Sequence, residues 1–230
     1  MLKIGDTMKK IIKSGLPIIV TFILNYIIII LSAIIYYLLG NKEVDIFLYQ
    51  IYPYILIIYY LGVILYLYSK NKQKENKPNK YFPQIYLGIS LAIFLNMIIF
   101  KIKPPTNIEI NYIPLNLITS GIIGPIYEEI LFRYIFYNRL KKYNTQKKAI
   151  LITNIVFALM HNSPIKIIYA FIMGLVFNYI YEKDKTIISP ILVHVATNII
   201  SLFLHEYNIY ILILSIINLL LSIEVYLVKK

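Results

Sequence analysis

The chain has 230 residues, of which 59% are hydrophobic and only 15% are charged. A soluble globular domain is usually ~45–50% apolar, so this composition excludes an ordinary soluble domain and predicts a protein that crosses the membrane several times. No cysteine is present, which excludes disulfide bonds and thiolate metal sites. The net charge is +12, but the lysines are spread between the apolar segments instead of forming one basic face, so we expect no nucleic-acid partner.

Eight apolar segments follow one another along the chain and predict eight membrane-spanning helices. They cover residues 16–39, 46–68, 84–100, 115–137, 149–160, 165–181, 187–204 and 209–228. The first segment is longer than the ~7–15 apolar residues of a signal peptide, so we interpret it as an uncleaved span. A full span needs about 20 residues, and the fifth segment is shorter than that. The sequence therefore predicts an all-α fold, a polytopic bundle of about eight transmembrane helices in the cell membrane.

The basic residues alternate with the spans and predict the orientation of the chain. With a cytoplasmic N-terminus, 18 of the 23 Lys and Arg residues fall in cytoplasmic segments and four in outer loops. This distribution follows the positive-inside rule and predicts that the N- and C-termini are both cytoplasmic. The most basic loop, residues 69–83, is interpreted as a solvated segment that anchors this topology, with attraction of anionic lipid as the alternative.

The fourth predicted span contains three charges, in the stretch IYEEILFRY at 126–134. An ionisable side chain inside a span costs about 2.5–3.5 kcal/mol on insertion scales and therefore indicates a functional site. Glu129 and Arg133 are four residues apart, so they can form an ion pair on one helix face, for which a structural role is the simplest interpretation. Glu128 lies about 100° away around the helix and has no partner within this span.

Polar residues on two other spans lie at a depth similar to that of Glu128. His161 ends the fifth span, and His194 and Asn198 lie four residues apart on the seventh. At 1.5 Å per residue, Glu128, His161 and His194 are about 15, 18 and 12 Å from the cytoplasmic boundary. The dipeptide Ser163-Pro164 predicts the start of a new helix, so the backbone turns beside His161. Backbone that turns at this depth must be buried in protein or line a wet cavity.

A carboxylate, two imidazoles and an amide at one depth form a constellation suited to hydrolysis. Glu128 can act as a general base on water, and His161 can share that water or later protonate the leaving amine. His194 and Asn198 can donate hydrogen bonds to a developing oxyanion. A metal site is the alternative, because Glu128, His161 and His194 match a known set of zinc ligands, although the chain contains no HExxH motif.

Three motifs in this part of the chain resemble those of the CPBP family, which comprises CAAX prenyl endopeptidases and bacteriocin-processing or Abi-type proteins. They are Glu128-Glu129-x-x-x-Arg133, Phe157-x-x-x-His161 and His194-x-x-x-Asn198. The resemblance implies a conical helical bundle with a cavity open to the cytoplasm. It also implies water activation by Glu128 and His161, oxyanion stabilisation by His194 and Asn198, and no required cofactor, with zinc as the alternative.

The resemblance divides the chain into two parts, with three N-terminal helices and the basic loop in residues 1–110 and the catalytic core in residues 111–230. We therefore expect an intramembrane endopeptidase whose partners are the lipid bilayer and a peptide or lipidated protein substrate. That substrate is a prenylated CaaX-like protein or a leader peptide. A non-proteolytic membrane scaffold or bacteriocin-immunity protein is the alternative, and a transporter comes third because no repeat symmetry is evident.

Overall fold

The computed structural model describes residues 4–39, 42–71, 73–76, 80–103, 115 and 117–228. This part of the chain forms eight continuous helices and no strand. In chain order they are α1 (Ile4–Leu39), α2 (Lys42–Lys70), α3 (Phe82–Ile102), α4 (117–141), α5 (Gln146–Leu159), α6 (Pro164–Asp184), α7 (Ile188–Phe203) and α8 (Ile209–Val228). The prediction of an all-α bundle with about eight helices is confirmed.

Five of these helices, α1, α2, α3, α6 and α8, are long and apolar enough to cross a membrane. α7 is a shorter apolar helix, and α5 covers about 21 Å at 1.5 Å per residue, less than the ~30 Å hydrocarbon core. The predicted multi-pass membrane localisation is confirmed. The cytoplasmic orientation of both termini stays a prediction, and some of the basic residues on which it depends, namely Lys3, Lys72, Lys77, Lys229 and Lys230, lie outside the described residues.

The central helix of the bundle is α4, which packs against α1, α2, α5 and α7. The sequence predicts a regular helix, whereas the structure widens the turns to π-helical spacing over Leu117–Ile123 and over the entirely buried Ile130–Tyr137. Pro125 lacks the N–H that would bond to the carbonyl four residues earlier, so the preceding turns must rearrange. The regular α-helical segment between the two wide-turned segments, Gly124–Glu129, carries the two adjacent glutamates.

Helix α3 packs along α7 through a close approach at Gly88. A Cβ atom at this position would lie 2.5 Å from the carbonyl oxygen of Val193 and 2.8 Å from the Cβ atom of Ala196. The hydroxyl of Thr197 donates a hydrogen bond to the Gly88 carbonyl at 3.3 Å. Small residues allow helix backbones to approach this closely. The position of α7, and with it that of His194, therefore depends on Gly88 having no side chain.

We expect Gly88→Ala to destabilise the protein by roughly 1–3 kcal/mol, the range for overpacking a tight contact, because the added methyl group must push α3 away from α7. Gly62→Ala is the matched control, since no atom of the described part of the chain lies within 4 Å of a Cβ atom placed at position 62. The control is expected to be neutral or slightly stabilising through its higher helix propensity. Thermal unfolding in detergent measures both variants, and equal midpoints would contradict the close approach.

The described part of the basic loop between α2 and α3 is bonded to the ends of other helices. Gln73 bonds to the hydroxyl of Tyr134 through its backbone N–H at 2.9 Å and to the Tyr134 carbonyl through its side chain at 2.7 Å. The carboxylate of Glu75 accepts from the N–H of Ile187, the N-cap residue of α7. Gln73 and Glu75 therefore fasten this part of the loop to α4 and to the start of α7, while residues 73, 74 and 76 remain exposed, and the interpretation of the loop as a solvated anchor of the topology stays a prediction.

Candidate active site

The four residues predicted to be catalytic line one small cavity. Glu128 on α4, His161 after α5, and His194 and Asn198 on α7 all contribute to a space of about 80 Å³. The structure thus brings together side chains from three separate segments of the chain, as their similar predicted depths suggested. The contacts of each side chain decide what it can do in this cavity.

His161 lies in the turn between α5 and α6. Helix α5 ends at Leu159, and Ser163 caps α6, as predicted, by accepting from the N–H of Lys166 at 3.3 Å. The Nδ1 atom of His161 lies 3.2 Å from the carbonyl oxygen of Phe157. A carbonyl oxygen can only accept, so Nδ1 carries the proton and Nε2 of the neutral ring is unprotonated. His161 is therefore in the tautomer that can accept a proton through Nε2.

Glu129 and Arg133 are completely buried, and they form an ion pair with 2.9 Å between Oε1 and Nη1. The other terminal nitrogen of Arg133, Nη2, donates to Oδ1 of Asn154 at 3.4 Å and to the carbonyl of Gly174 at 3.3 Å. The guanidinium also lies 4.3 Å from the centre of the Phe157 ring. Arg133 therefore connects α4 to α5 and α6, and its charge is compensated inside the bundle.

Sequence reasoning missed a second partner of Glu129. The Nδ1 atom of His194 lies 2.9 Å from Glu129 Oε1, the same oxygen that accepts from Arg133. The ring of His194 stacks on Phe177, with the ring centroids 4.4 Å apart. Glu129 therefore orients His194 in addition to pairing with Arg133. No spacing in the sequence indicates this contact, because it joins residues 65 positions apart on different helices.

The contact with Glu129 determines which nitrogen of His194 is available to the cavity. Arg133 pairs with Glu129 as a carboxylate, so Nδ1 of His194 must donate to it. The other ring nitrogen, Nε2, lies 3.8 Å from Oε2 of Glu128. This distance is too long for a direct hydrogen bond, and it leaves room for a bridging atom between the two groups. The Glu128 side chain itself is 35% exposed, so it is accessible to water.

Asn198 lies one turn after His194 on α7 and is held by α4. Its Nδ2 atom donates to the carbonyl of Ser120 at 2.9 Å, within the first wide-turned segment of α4. A side-chain amide carries two N–H groups, so this bond uses one and leaves the second as a donor that Asn198 can offer to the cavity.

The predicted zinc set does not converge in the structure. Among the described residues, no group of three or more His, Cys, Asp or Glu side chains lies close enough to hold a metal ion. Glu128 and His194 approach each other, but His161 does not complete a three-ligand cluster with them. Zinc binding by Glu128, His161 and His194 stays an alternative prediction, which metal analysis of the purified protein tests.

Comparison with known proteins finds relatives of the part of the chain that contains these residues. Residues 110–200 match the family model described as Type II CAAX prenyl endopeptidase Rce1-like. The "Putative membrane peptidase YdiL" of Bacillus subtilis is 35% identical over 89 residues, which cover 39% of this chain and 36% of that protein. The "Membrane-embedded CAAX protease MroQ" of Staphylococcus aureus is 28% identical over 152 residues, which cover 56% of this chain and 61% of that protein. No solved structure matches the chain significantly.

The family match includes all three motifs, since these lie between residues 128 and 198. The chain spans less than two thirds of the length of either curated relative, so the activities in their names are not transferred directly to it. The resemblance to CAAX proteases deduced from the motifs is nevertheless confirmed, since residues 110–200 match the model of that family and both relatives are named as membrane peptidases or proteases.

Proposed function

We propose that this protein is a membrane-embedded endopeptidase that hydrolyses a peptide bond of a membrane-associated substrate. The observation that carries the proposal is the single cavity that gathers Glu128, His161, His194 and Asn198. The family match, and two relatives named as a membrane peptidase and a CAAX protease, support the same activity.

Water activation is assigned to Glu128 and His161. The Glu128 carboxylate is accessible, and unprotonated Nε2 of His161 is a second acceptor in the same cavity. Glu128 takes a proton from the water while the water oxygen bonds to the substrate carbonyl carbon. When the carbon–nitrogen bond of the resulting tetrahedral intermediate breaks, the proton held by Glu128 passes to the leaving amine, directly or through His161. The proton balance of the hydrolysis is therefore closed by these two residues.

Stabilisation of the oxyanion is assigned to His194 and Asn198. Because Nδ1 of His194 donates to Glu129, Nε2 can donate to an oxyanion only when the ring is an imidazolium. The charges around the ring favour the imidazolium form of His194, since Glu128 and Glu129 carry two negative charges and Arg133 carries one positive charge. The imidazolium brings the cluster to neutrality, and the free N–H of Asn198 supplies the second donor.

The proposed substrate is a prenylated CaaX-like protein or a leader peptide held at the membrane. The test is incubation of the purified protein with a farnesylated CaaX peptide and with a leader peptide, followed by mass spectrometry of the products. We expect cleavage of at least one, and weaker cleavage of the CaaX peptide without its farnesyl group if the lipid is recognised. Metal analysis and treatment with a chelator accompany the assay, and cleavage is expected to persist after chelation. Failure to cleave either peptide would favour the non-proteolytic scaffold or immunity protein.

A further inference from the structure

A second, larger cavity adjoins the catalytic one, and part of its wall comes from helices outside the region that matches the family. It measures about 330 Å³ and shares Glu128, Phe157 and His161 with the smaller cavity. Helices α1 and α2 supply four of its lining residues, which are Thr21, Phe22, Asn25 and Tyr60. The family match begins only at residue 110. These helices can therefore give the active site a feature particular to this chain.

The aromatic part of this wall is held in place by contacts between three helices. The ring of Tyr60 on α2 stacks on that of Tyr127 on α4, with centroids 4.5 Å apart and an angle of 24° between the planes. The neighbouring Tyr59 donates its hydroxyl proton to the backbone carbonyl of Thr21 on α1. Because of these contacts, the rings of Tyr60 and Tyr127 form a preformed apolar surface next to Glu128.

The polar part of the wall includes an acceptor without a donor. Oδ1 of Asn25 is buried and has no hydrogen-bond partner among the residues that the structure describes. A buried acceptor without a donor lowers the free energy of unfolding, and a bound ligand that supplies a donor removes this penalty. A substrate must be extended around its scissile bond, and each extended residue exposes an N–H group that needs an acceptor inside the bundle. The Asn25 oxygen is suited to accept from such a backbone N–H.

We propose that Tyr60 and Asn25 form a specificity subsite that binds an aromatic or large aliphatic side chain adjacent to the scissile bond. The side chain packs against the Tyr60 and Tyr127 rings while Asn25 accepts a hydrogen bond from the substrate backbone. The volume lies at the lower end of the range of ligand pockets, ~300–1,000 Å³, which suits one large side chain with its backbone. This subsite rests on the proposed endopeptidase function.

The first test is a series of farnesylated CaaX peptides in which the residue directly after the farnesylated cysteine, and so directly after the scissile bond, is varied as Phe, Leu, Ala and Asp. The native protein should prefer Phe or Leu at this position. Tyr60→Ala should lower kcat/KM for that peptide by about 10–100-fold, mainly through KM, and change the Ala peptide little. Asn25→Leu should lower kcat/KM by several-fold for all peptides that are cleaved.

The matched control is Tyr66→Ala, which removes a 63% exposed tyrosine from the same helix. Its preference among the peptides should equal that of the native protein. If Tyr60→Ala and Tyr66→Ala discriminate among the peptides equally well, the subsite is wrong even though the protease function stands.

A binding measurement separates failure of the subsite from failure of the function. The chain has no tryptophan, so Tyr60→Trp and Tyr66→Trp each introduce a single tryptophan whose emission can be followed. Both are made in a Glu128→Gln background, which prevents turnover, and titrated with the farnesylated Phe peptide. We expect a saturable emission shift for Tyr60→Trp and none for Tyr66→Trp. If the native protein cleaves no peptide, the proposed function fails, and this shift still decides the subsite. The subsite proposal is wrong if the two tryptophans respond identically, or if neither responds to the peptide.

Discussion

Glu128→Gln is expected to lower kcat by about 10²–10⁴-fold, the usual contribution of a general base, while the protein still folds. Glutamine has the same size as glutamate but cannot take a proton from water at neutral pH. The Glu128 side chain is partly exposed and lies 3.8 Å from the nearest ring nitrogen of His194, too far for a direct hydrogen bond, so its replacement by Gln should leave the fold intact. His161→Ala should cause a comparable loss through the same step. Initial rates with a peptide that the native protein cleaves, together with thermal unfolding midpoints, measure both effects.

The control for this experiment is Glu224→Gln, which removes an exposed carboxylate from α8, away from the cavity. This variant should cleave at the native rate. Cleavage at the native rate by both Glu128→Gln and His161→Ala would contradict the enzyme assignment. A large loss of stability in Glu128→Gln would instead indicate that Glu128 supports the fold.

The sequence predicts the helices well because the physics that determines them is local. A run of about 20 apolar residues must satisfy its backbone groups within itself in lipid, so hydropathy alone identifies α1, α2, α3, α6 and α8. The turn at Ser163 was also predictable, because a cap and a proline act on their own backbone. The wide turns of α4 were not predicted, since the rearrangement around Pro125 depends on how the neighbouring helices pack.

The site was predicted only in part, because several of its features are tertiary. Similar depths on three spans indicated that Glu128, His161 and His194 would meet, and they line one cavity. The bond between Glu129 and His194 joins two helices in a way that no spacing encodes. The wall supplied by α1 and α2 was missed for the same reason, since hydropathy places those helices in the membrane without saying which face meets α4.

Arg133→Met is expected to destabilise the protein by about 3–5 kcal/mol, because it leaves the buried Glu129 carboxylate without its cation. Glu129→Gln combined with Arg133→Met removes both charges, and it should recover most of that stability, since apolar or neutral groups of similar volume can replace a buried pair. The pair of Lys141 and Glu182, whose side chains are 36% and 12% exposed, is the control nearer the surface, and double replacement there should change stability by no more than about 1 kcal/mol. Thermal and denaturant unfolding of the single and double variants measures these differences.

Activity should separate from stability in the same double variant. With Glu129 replaced by Gln, Nδ1 of His194 loses its carboxylate partner and the imidazolium loses part of its charge compensation. We therefore expect Glu129→Gln/Arg133→Met to fold while its kcat remains at least ~10²-fold below that of the native protein, the size of effect typical of losing one oxyanion donor. A double variant that regains both stability and native kcat would show that Glu129 serves only the ion pair. Recovery of stability without recovery of kcat would support a second role for the Glu129 carboxylate, that of positioning His194.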